Sequence, residues 1–79
     1  MEVFEEFRRN IARVARMAEA EISPETRLED IKADSLHWVQ ILIGTEAAFD
    51  IEIDIDRDVM GEMKTVGDFV KYIETFINK

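Results

Sequence analysis

Ala33-Asp34-Ser35-Leu36 is the stretch from which the fold of this chain can be worked out. Aspartate and serine favour the start of a helix, because their side-chain oxygens accept hydrogen bonds from the free N–H groups of the first turn. Large apolar residues then recur at helical spacing, at Leu36, Val39, Leu42, Ile43 and Phe49. The pattern predicts an amphipathic helix over residues 35–49 that buries these five side chains. A glycine in its interior, Gly44, would allow a second helix to approach closely.

A first helix is predicted upstream, over residues 2–19. Its apolar stripe repeats every three or four residues and consists of Phe4, Phe7, Ile11, Val14 and Ala18. The sequence Ile22-Ser23-Pro24 ends this helix, because the residue before a proline is biased away from helical conformation. A long loop follows, and Ile22 and Leu28 are expected to anchor it in the core.

Two further helices are predicted downstream. Acidic and apolar residues alternate over residues 50–56, which could indicate a strand, but no other segment offers a partner strand, so we predict a loop. A short third helix follows around Arg57–Met63. Thr65 is a favourable cap for the last helix, and Asp68 three residues later is close to a capping-box pattern. The sequence therefore predicts one all-α domain over residues 1–79, a small four-helix bundle with a long first loop and a short third helix.

The net charge of −8 is concentrated around and after Ser35. Residues 33–63 contain eight acidic side chains and one basic side chain. Such a surface repels the phosphates of nucleic acids and anionic lipid headgroups, so neither nucleic acid nor membrane is expected as a partner. It suits docking to basic patches on partner proteins instead.

Metal binding is not expected. The chain contains no cysteine, which excludes cysteine-based metal sites and disulfides. Asp54, Asp56 and Asp58 resemble the start of a calcium loop, but Val59 and Thr65 stand where such a loop needs glycine and glutamate. Weak, nonspecific cation binding by these acids stays open.

Catalysis by the chain itself is not expected either. A serine nucleophile needs a base, and the only histidine, His37, stands two residues after Ser35. Residues at that spacing do not face each other on a helix. Neither a nucleophile elbow nor a glycine-rich phosphate loop is present in the sequence.

The location expected from the sequence is the cytoplasm. The start, Met1-Glu2-Val3, is acidic and lacks the apolar segment of a signal peptide. No apolar run approaches the ~18 residues that are needed to span a membrane.

The segment from Leu28 to Leu36, with helices on both sides in a chain of this length, resembles the stretch around the modified serine of acyl carrier proteins. In that family an Asp-Ser-Leu triplet opens the second helix, and its serine carries a 4′-phosphopantetheine arm. The resemblance implies that a phosphopantetheinyl transferase attaches this arm, donated by coenzyme A, to Ser35, with Asp34, Leu36 and Trp38 around it. The thiol of the arm would hold acyl groups as thioesters and present them to acyl-loading and acyl-transferring enzymes of fatty-acid, lipid or polyketide-type biosynthesis.

Partner enzymes are expected to carry basic patches with which they dock on this chain. The docking residues expected in and after the second helix are His37, Gln40, Ile41, Ile43, Glu46 and Asp50. The sequence departs from the family at Lys32, where glycine is frequent, and at His37, Gln40, Ala47 and Ala48, where many fatty-acid carriers have acidic residues. These departures suggest a specialised carrier rather than the housekeeping carrier of fatty-acid synthesis. The chain is expected to be a monomer.

Trp38 lies three residues after Ser35 on a neighbouring helix position, so it is expected to be partly exposed beside the arm. The alternative is that Trp38 belongs to the core. The bundle could also shelter part of an acyl chain between its helices. The candidate lining residues are Leu42, Ile53, Val59, Met63 and Phe69. Ordinary core packing is the alternative role for each of them.

Three alternatives stay open at this point. Ser35 or Asp34 could simply cap the second helix. The cargo could be a peptidyl or aminoacyl group, or the chain could be a helical interaction module that is never modified.

Overall fold

Four α-helices form the part of the chain that the computed structural model describes, which is residues 3–77, with the backbone alone at Arg57. They are α1 (Val3–Ala15), α2 (Ser35–Phe49), α3 (Arg57–Glu62) and α4 (Val66–Ile77). Two single 3₁₀ turns interrupt the long first loop at Glu19–Glu21 and Leu28–Asp30. The all-α bundle with a long first loop and a short third helix is confirmed.

The first helix is shorter than its apolar stripe predicts. Arg16 adopts a left-handed conformation with φ of 58°, and the Met17 N–H donates to the Ala12 carbonyl oxygen over 3.1 Å. This pattern closes a helix, because it satisfies carbonyl groups that lack a partner in the last turn. Ala18 therefore lies outside α1 and is exposed. Glu2, the predicted first residue of the helix, lies outside the described residues.

The core is assembled from every long segment of the chain. Phe7 and Ile11 of α1 are fully buried, and the long first loop is anchored by Ile22 and Leu28, as expected. The remaining fully buried apolar residues of α2 and α4 are Ile41, Val66, Phe69 and Ile73. An isolated antiparallel bridge between Arg27 and Thr65 fastens the loop to the start of α4.

The bounds of α2 are confirmed, but its predicted buried face is wrong. Ile41 and Thr45 are fully buried, whereas Leu36, Val39 and Ile43 are exposed to 63%, 49% and 58%. The remaining two residues of the predicted face are only partly buried. Because apolar side chains surround much of this helix, periodicity alone cannot choose its inner face. Burial of Thr45 is compensated by its hydroxyl, which donates to the Ile41 carbonyl oxygen over 2.9 Å.

The close approach predicted at Gly44 is confirmed. A β-carbon built on this residue would lie 2.2 Å from Asn10 Oδ1 and 3.0 Å from the terminal nitrogen of Arg13, both on α1. The side chains of α1 thus occupy the space that a larger residue in α2 would need. This contact turns Gly44 toward α1 and thereby places Ile43 on the outer side of the helix.

The third helix begins as predicted and ends at Glu62, one residue earlier than expected. Residues 50–56 form a loop, as predicted. Glu46 holds this loop against α2, since its Oε2 accepts a hydrogen bond of 2.7 Å from the Ile53 N–H. The Tyr72 hydroxyl of α4 donates to the Asp54 carbonyl oxygen of the same loop.

The capping box of α4 is also confirmed. Thr65 Oγ1 accepts from the Asp68 N–H over 3.1 Å, and Asp68 Oδ2 accepts from the Thr65 N–H over 3.2 Å. A second donor, the Lys64 N–H, reaches the same carboxylate over 3.0 Å. These hydrogen bonds favour the ionised carboxylate and lower the pKa of Asp68 below its ordinary value of 3.8. None of the helices described here is both long and apolar enough to cross a membrane.

Candidate functional site

Asp34, and not Ser35, caps the second helix. Asp34 Oδ1 accepts a hydrogen bond of 2.9 Å from the His37 N–H. In return the Asp34 N–H donates to His37 Nδ1 over 3.3 Å, so a histidine takes the place that glutamate usually holds in a capping box. The sequence left the capping role open between Asp34 and Ser35, and the geometry assigns it to Asp34.

The cap also favours the ionised form of the Asp34 carboxyl group. The hydrogen bond from the His37 N–H favours the carboxylate and lowers the pKa of Asp34 below its ordinary value of 3.8. A group whose pKa is lowered in the folded state stabilises the fold while it is ionised. The contribution of Asp34 is therefore lost only as the pH falls through its folded-state pKa, below 3.8.

Ser35 is the first residue of α2 and is exposed. Its hydroxyl makes no hydrogen bond with any part of residues 3–77. The first N–H groups of a helix have no partners within the helix, and the helix dipole favours negative charge there. A phosphodiester on Ser35 Oγ would lie at this end of α2, so the residues present fit a phosphopantetheine arm. The same exposure makes the hydroxyl accessible to another enzyme.

A groove of about 560 Å³ opens beside Ser35. Its polar lining residues are Asp34, Ser35 and Asp56, and its apolar walls come mainly from α2, the loop before α3 and α3 itself. The remaining lining residues are Ala33, Trp38, Val39, Leu42, Ile55 and Met60. This arrangement suits an amide-rich arm that ends in an apolar group.

Trp38 takes part in both the groove and the core. Its ring lines the groove, is partly buried and stacks on Phe69, with ring centroids 5.9 Å apart and an interplanar angle of 8°. The ring centroid of Phe7, on α1, lies 6.4 Å from that of Trp38. The expectation of partial exposure is confirmed, and the alternative that Trp38 is simply a core residue is wrong, although the ring packs against the core.

Most of the residues predicted to shelter an acyl chain do not line the groove. Leu42 lines it, whereas Ile53, Val59 and Met63 do not, and Phe69 is fully buried beneath Trp38. Val39 could have been identified from the sequence, because it stands one helical turn beyond Ser35. Ile55 and Met60 could not, since their position depends on how the loop and α3 pack against α2.

The predicted docking residues do not form one face. Ile41 is fully buried, so its expected docking role is wrong. Ile43 and Asp50 are exposed, while the Glu46 carboxylate is bound to the Ile53 N–H. His37 and Gln40 lie on the side of α2 that faces α1, where they line a separate cavity of about 580 Å³ together with the cationic side chains of Arg13, Arg16 and Lys32. Within residues 3–77, no group of three or more histidine, aspartate or glutamate side chains is placed to hold a metal ion.

Comparison with known proteins gives a consistent result. A family model described as a phosphopantetheine attachment site matches residues 5–73. The acyl carrier protein of Lactococcus lactis subsp. cremoris is 40% identical over 74 residues, which cover 94% of this chain and 96% of that protein. The acyl carrier proteins of Streptococcus pneumoniae and Streptococcus pyogenes are 38% and 36% identical, with 94% of this chain and 95% of each relative covered.

Proposed function

This chain belongs to the phosphopantetheine-attachment family that includes bacterial acyl carrier proteins, and we propose that Ser35 is the residue to which its arm is attached. The cofactor of the chain is 4′-phosphopantetheine, and its function is to carry acyl groups as thioesters. The observation that supports Ser35 is its position: an exposed hydroxyl without a hydrogen-bond partner among the described residues, at the start of α2 and in the lining of the groove.

Each part of the site has a separate role in this proposal. The Ser35 hydroxyl holds the arm, the N-terminal turn of α2 stabilises the negative charge of the phosphodiester, and Asp34 keeps that turn in shape. When bound, the arm supplies the thiol that the chain lacks, since the sequence contains no cysteine. Tethering keeps the acyl group at a high effective concentration near each enzyme that docks on the carrier.

The chain contains only two serines, so the attachment site can be identified directly. Intact-mass analysis of the protein isolated from its native host, followed by fragmentation, should locate one phosphopantetheine group on Ser35. The other serine, Ser23, has its hydroxyl 3.2 Å from Thr26 Oγ1 and serves as an internal control. Modification of Ser23, or an unmodified chain, would contradict the proposal.

We further propose that the cargo is an acyl rather than an aminoacyl group and that the carrier serves a specialised pathway. The apolar walls of the groove, which include Leu42, Ile55 and Met60, favour an acyl chain because they can cover its methylene groups. Mass analysis of the natively loaded protein would separate the two kinds of cargo. The members of this family are carriers, and we propose that the chain performs no chemistry of its own on the thioester.

Enzymes that handle the arm, including the phosphopantetheinyl transferase, must approach α2, and we propose that they contact its outer apolar strip. The strip consists of Leu36, Val39 and Ile43, which are the large hydrophobic residues exposed within the described chain. Acidic side chains beside it, among them Asp50 and Asp56, are exposed and would meet basic residues of the partner. The strip thus replaces Ile41 as the apolar part of the docking surface.

Ile43→Ala is expected to raise the KM of the cognate transferase for the apo protein by about tenfold, which corresponds to ~1.4 kcal/mol. Its effect on stability should stay within about 0.5 kcal/mol, because the side chain is 58% exposed. The KM should also rise with salt, since exposed charges are screened. Lys71→Ala, an exposed position on α4, is the matched control and should leave the KM unchanged. An Ile43→Ala protein with wild-type KM would exclude the strip as a docking surface.

A further inference from the structure

The groove beside Ser35 has an aromatic floor. Trp38 lines the groove and stacks nearly parallel on Phe69, with ring centroids 5.9 Å apart. Phe69 in turn lies 4.9 Å from Phe7, and Phe7 lies 6.4 Å from Trp38. Three rings from α1, α2 and α4 therefore form one continuous cluster between the groove and the centre of the bundle.

The space beneath this floor is filled. Phe7 and Phe69 have no exposed surface, and neither have Ile11, Ile41 and Ile73 around them. Protein interiors are packed as densely as organic crystals, so an inserted chain needs space that other side chains must vacate. The stacked rings of Trp38 and Phe69 lie between the groove and this filled interior, so an acyl chain that entered the bundle at this point would have to separate them.

We propose that Trp38 restricts the cargo to the surface groove, and that this carrier therefore shelters only short acyl groups. The inference rests on the proposed attachment of the arm to Ser35. The groove has a volume of about 560 Å³ and must also receive part of the arm. Its apolar walls, Leu42, Ile55 and Met60, can cover the first carbons of an acyl chain. The carbons beyond them remain in water, because the aromatic cluster prevents entry into the core.

The experiment compares apo protein loaded by a phosphopantetheinyl transferase from butyryl-, octanoyl- or dodecanoyl-coenzyme A. In the wild-type protein the melting temperature should rise from the holo to the butyryl form and change little for the longer chains. Acrylamide quenching of Trp38 fluorescence should fall from the holo to the butyryl form and change little for the longer chains. Trp38 is the only tryptophan in the sequence, so the signal is specific. A melting temperature that climbs steadily through the dodecanoyl form would overturn the proposal.

Trp38→Leu removes the floor and is expected to extend the shelter into the bundle. Between its butyryl and dodecanoyl forms the melting temperature should rise by roughly 4 °C or more, the shift produced when one or two further methylenes are buried in a domain of this size. Each shift is measured against the holo form of the same variant, so any loss of basal stability cancels. Trp38→Phe, which shortens the floor and keeps an aromatic ring, provides the same test with a smaller structural change.

Phe4→Leu is the matched control, because Phe4 is a partly buried aromatic residue of α1 that does not line the groove. Its chain-length dependence should equal that of the wild-type protein. If Trp38→Leu and Trp38→Phe also behave like the wild type, Trp38 does not determine the cargo. Wild-type protein that the transferase loads at a residue other than Ser35 would instead contradict the attachment at Ser35, so the two proposals fail in distinguishable ways.

Discussion

Ser35→Ala is expected to abolish attachment of 4′-phosphopantetheine completely while leaving the fold intact. The hydroxyl is the proposed acceptor of the arm, and the other serine lies in the turn before Thr26. The stability of the variant should stay within about 0.5 kcal/mol of the wild type, because Ser35 Oγ makes no hydrogen bond with residues 3–77 and the side chain is exposed. The measurements are intact mass after incubation with coenzyme A and a phosphopantetheinyl transferase, and a thermal melt.

Two variants make this result specific. Ser23→Ala removes the other hydroxyl and should be modified at the wild-type rate. Asp34→Ala removes the helix cap and should lower the stability more than Ser35→Ala does, since the Asp34 carboxylate accepts a hydrogen bond from the His37 N–H over 2.9 Å. Had Ser35 been the cap, the order of the two stability losses would be reversed. A mass increase in the Ser35→Ala protein would show that the arm is attached elsewhere.

Gly44→Ala should destabilise the bundle by about 2–4 kcal/mol, because added volume in a packed interface and buried polar groups without partners both cost free energy. The new β-carbon would lie 2.2 Å from Asn10 Oδ1, a distance that no relaxed structure tolerates. Asn10 is buried, donates to the Glu6 carbonyl oxygen over 2.9 Å and accepts from Arg13 over 2.8 Å. Moving the Asn10 side chain would break these hydrogen bonds inside the interface between α1 and α2. Urea unfolding measures the loss.

Gly61→Ala is the control for backbone effects. Gly61 lies in α3 and is exposed, and a β-carbon there would meet no atom within 4 Å. Alanine favours the helix over glycine by up to ~1 kcal/mol, so this variant should be as stable as the wild type or more stable. Equal stability of the Gly44→Ala and wild-type proteins would mean that α1 and α2 separate at little cost.

The sequence by itself determined the helical segments and their local beginnings. Asp34, Thr65 and Asp68 mark helix starts through hydrogen bonds that reach only three or four residues, so the bounds of α2 and the capping box of α4 were predicted correctly. The proposed attachment residue, Ser35, also stands in a local pattern, since the Asp-Ser-Leu triplet at the start of a helix resembles that of acyl carrier proteins. Interactions between near neighbours can be inferred from order along the chain alone.

Tertiary structure decided where α1 ends and which side of α2 is buried. The stripe in α1 continues to Ala18, but the helix stops at Ala15, and the loop beyond it buries Ile22 in the core. In α2 the apolar residues extend around the helix, so its orientation depends on where α1 can come closest. Gly44 provides that place, which turns Ile41 inward and Ile43 outward.

The groove also depends on tertiary contacts between segments that lie far apart in the sequence. Ile55 and Met60 join Leu42 because Glu46 holds the loop at Ile53 and Tyr72 holds it at Asp54. The floor forms because Trp38 meets Phe69, a residue 31 positions later in the chain. Sequence patterns carry the period of each helix but not its rotation about its own axis, and that rotation is set by the packing of all four helices together.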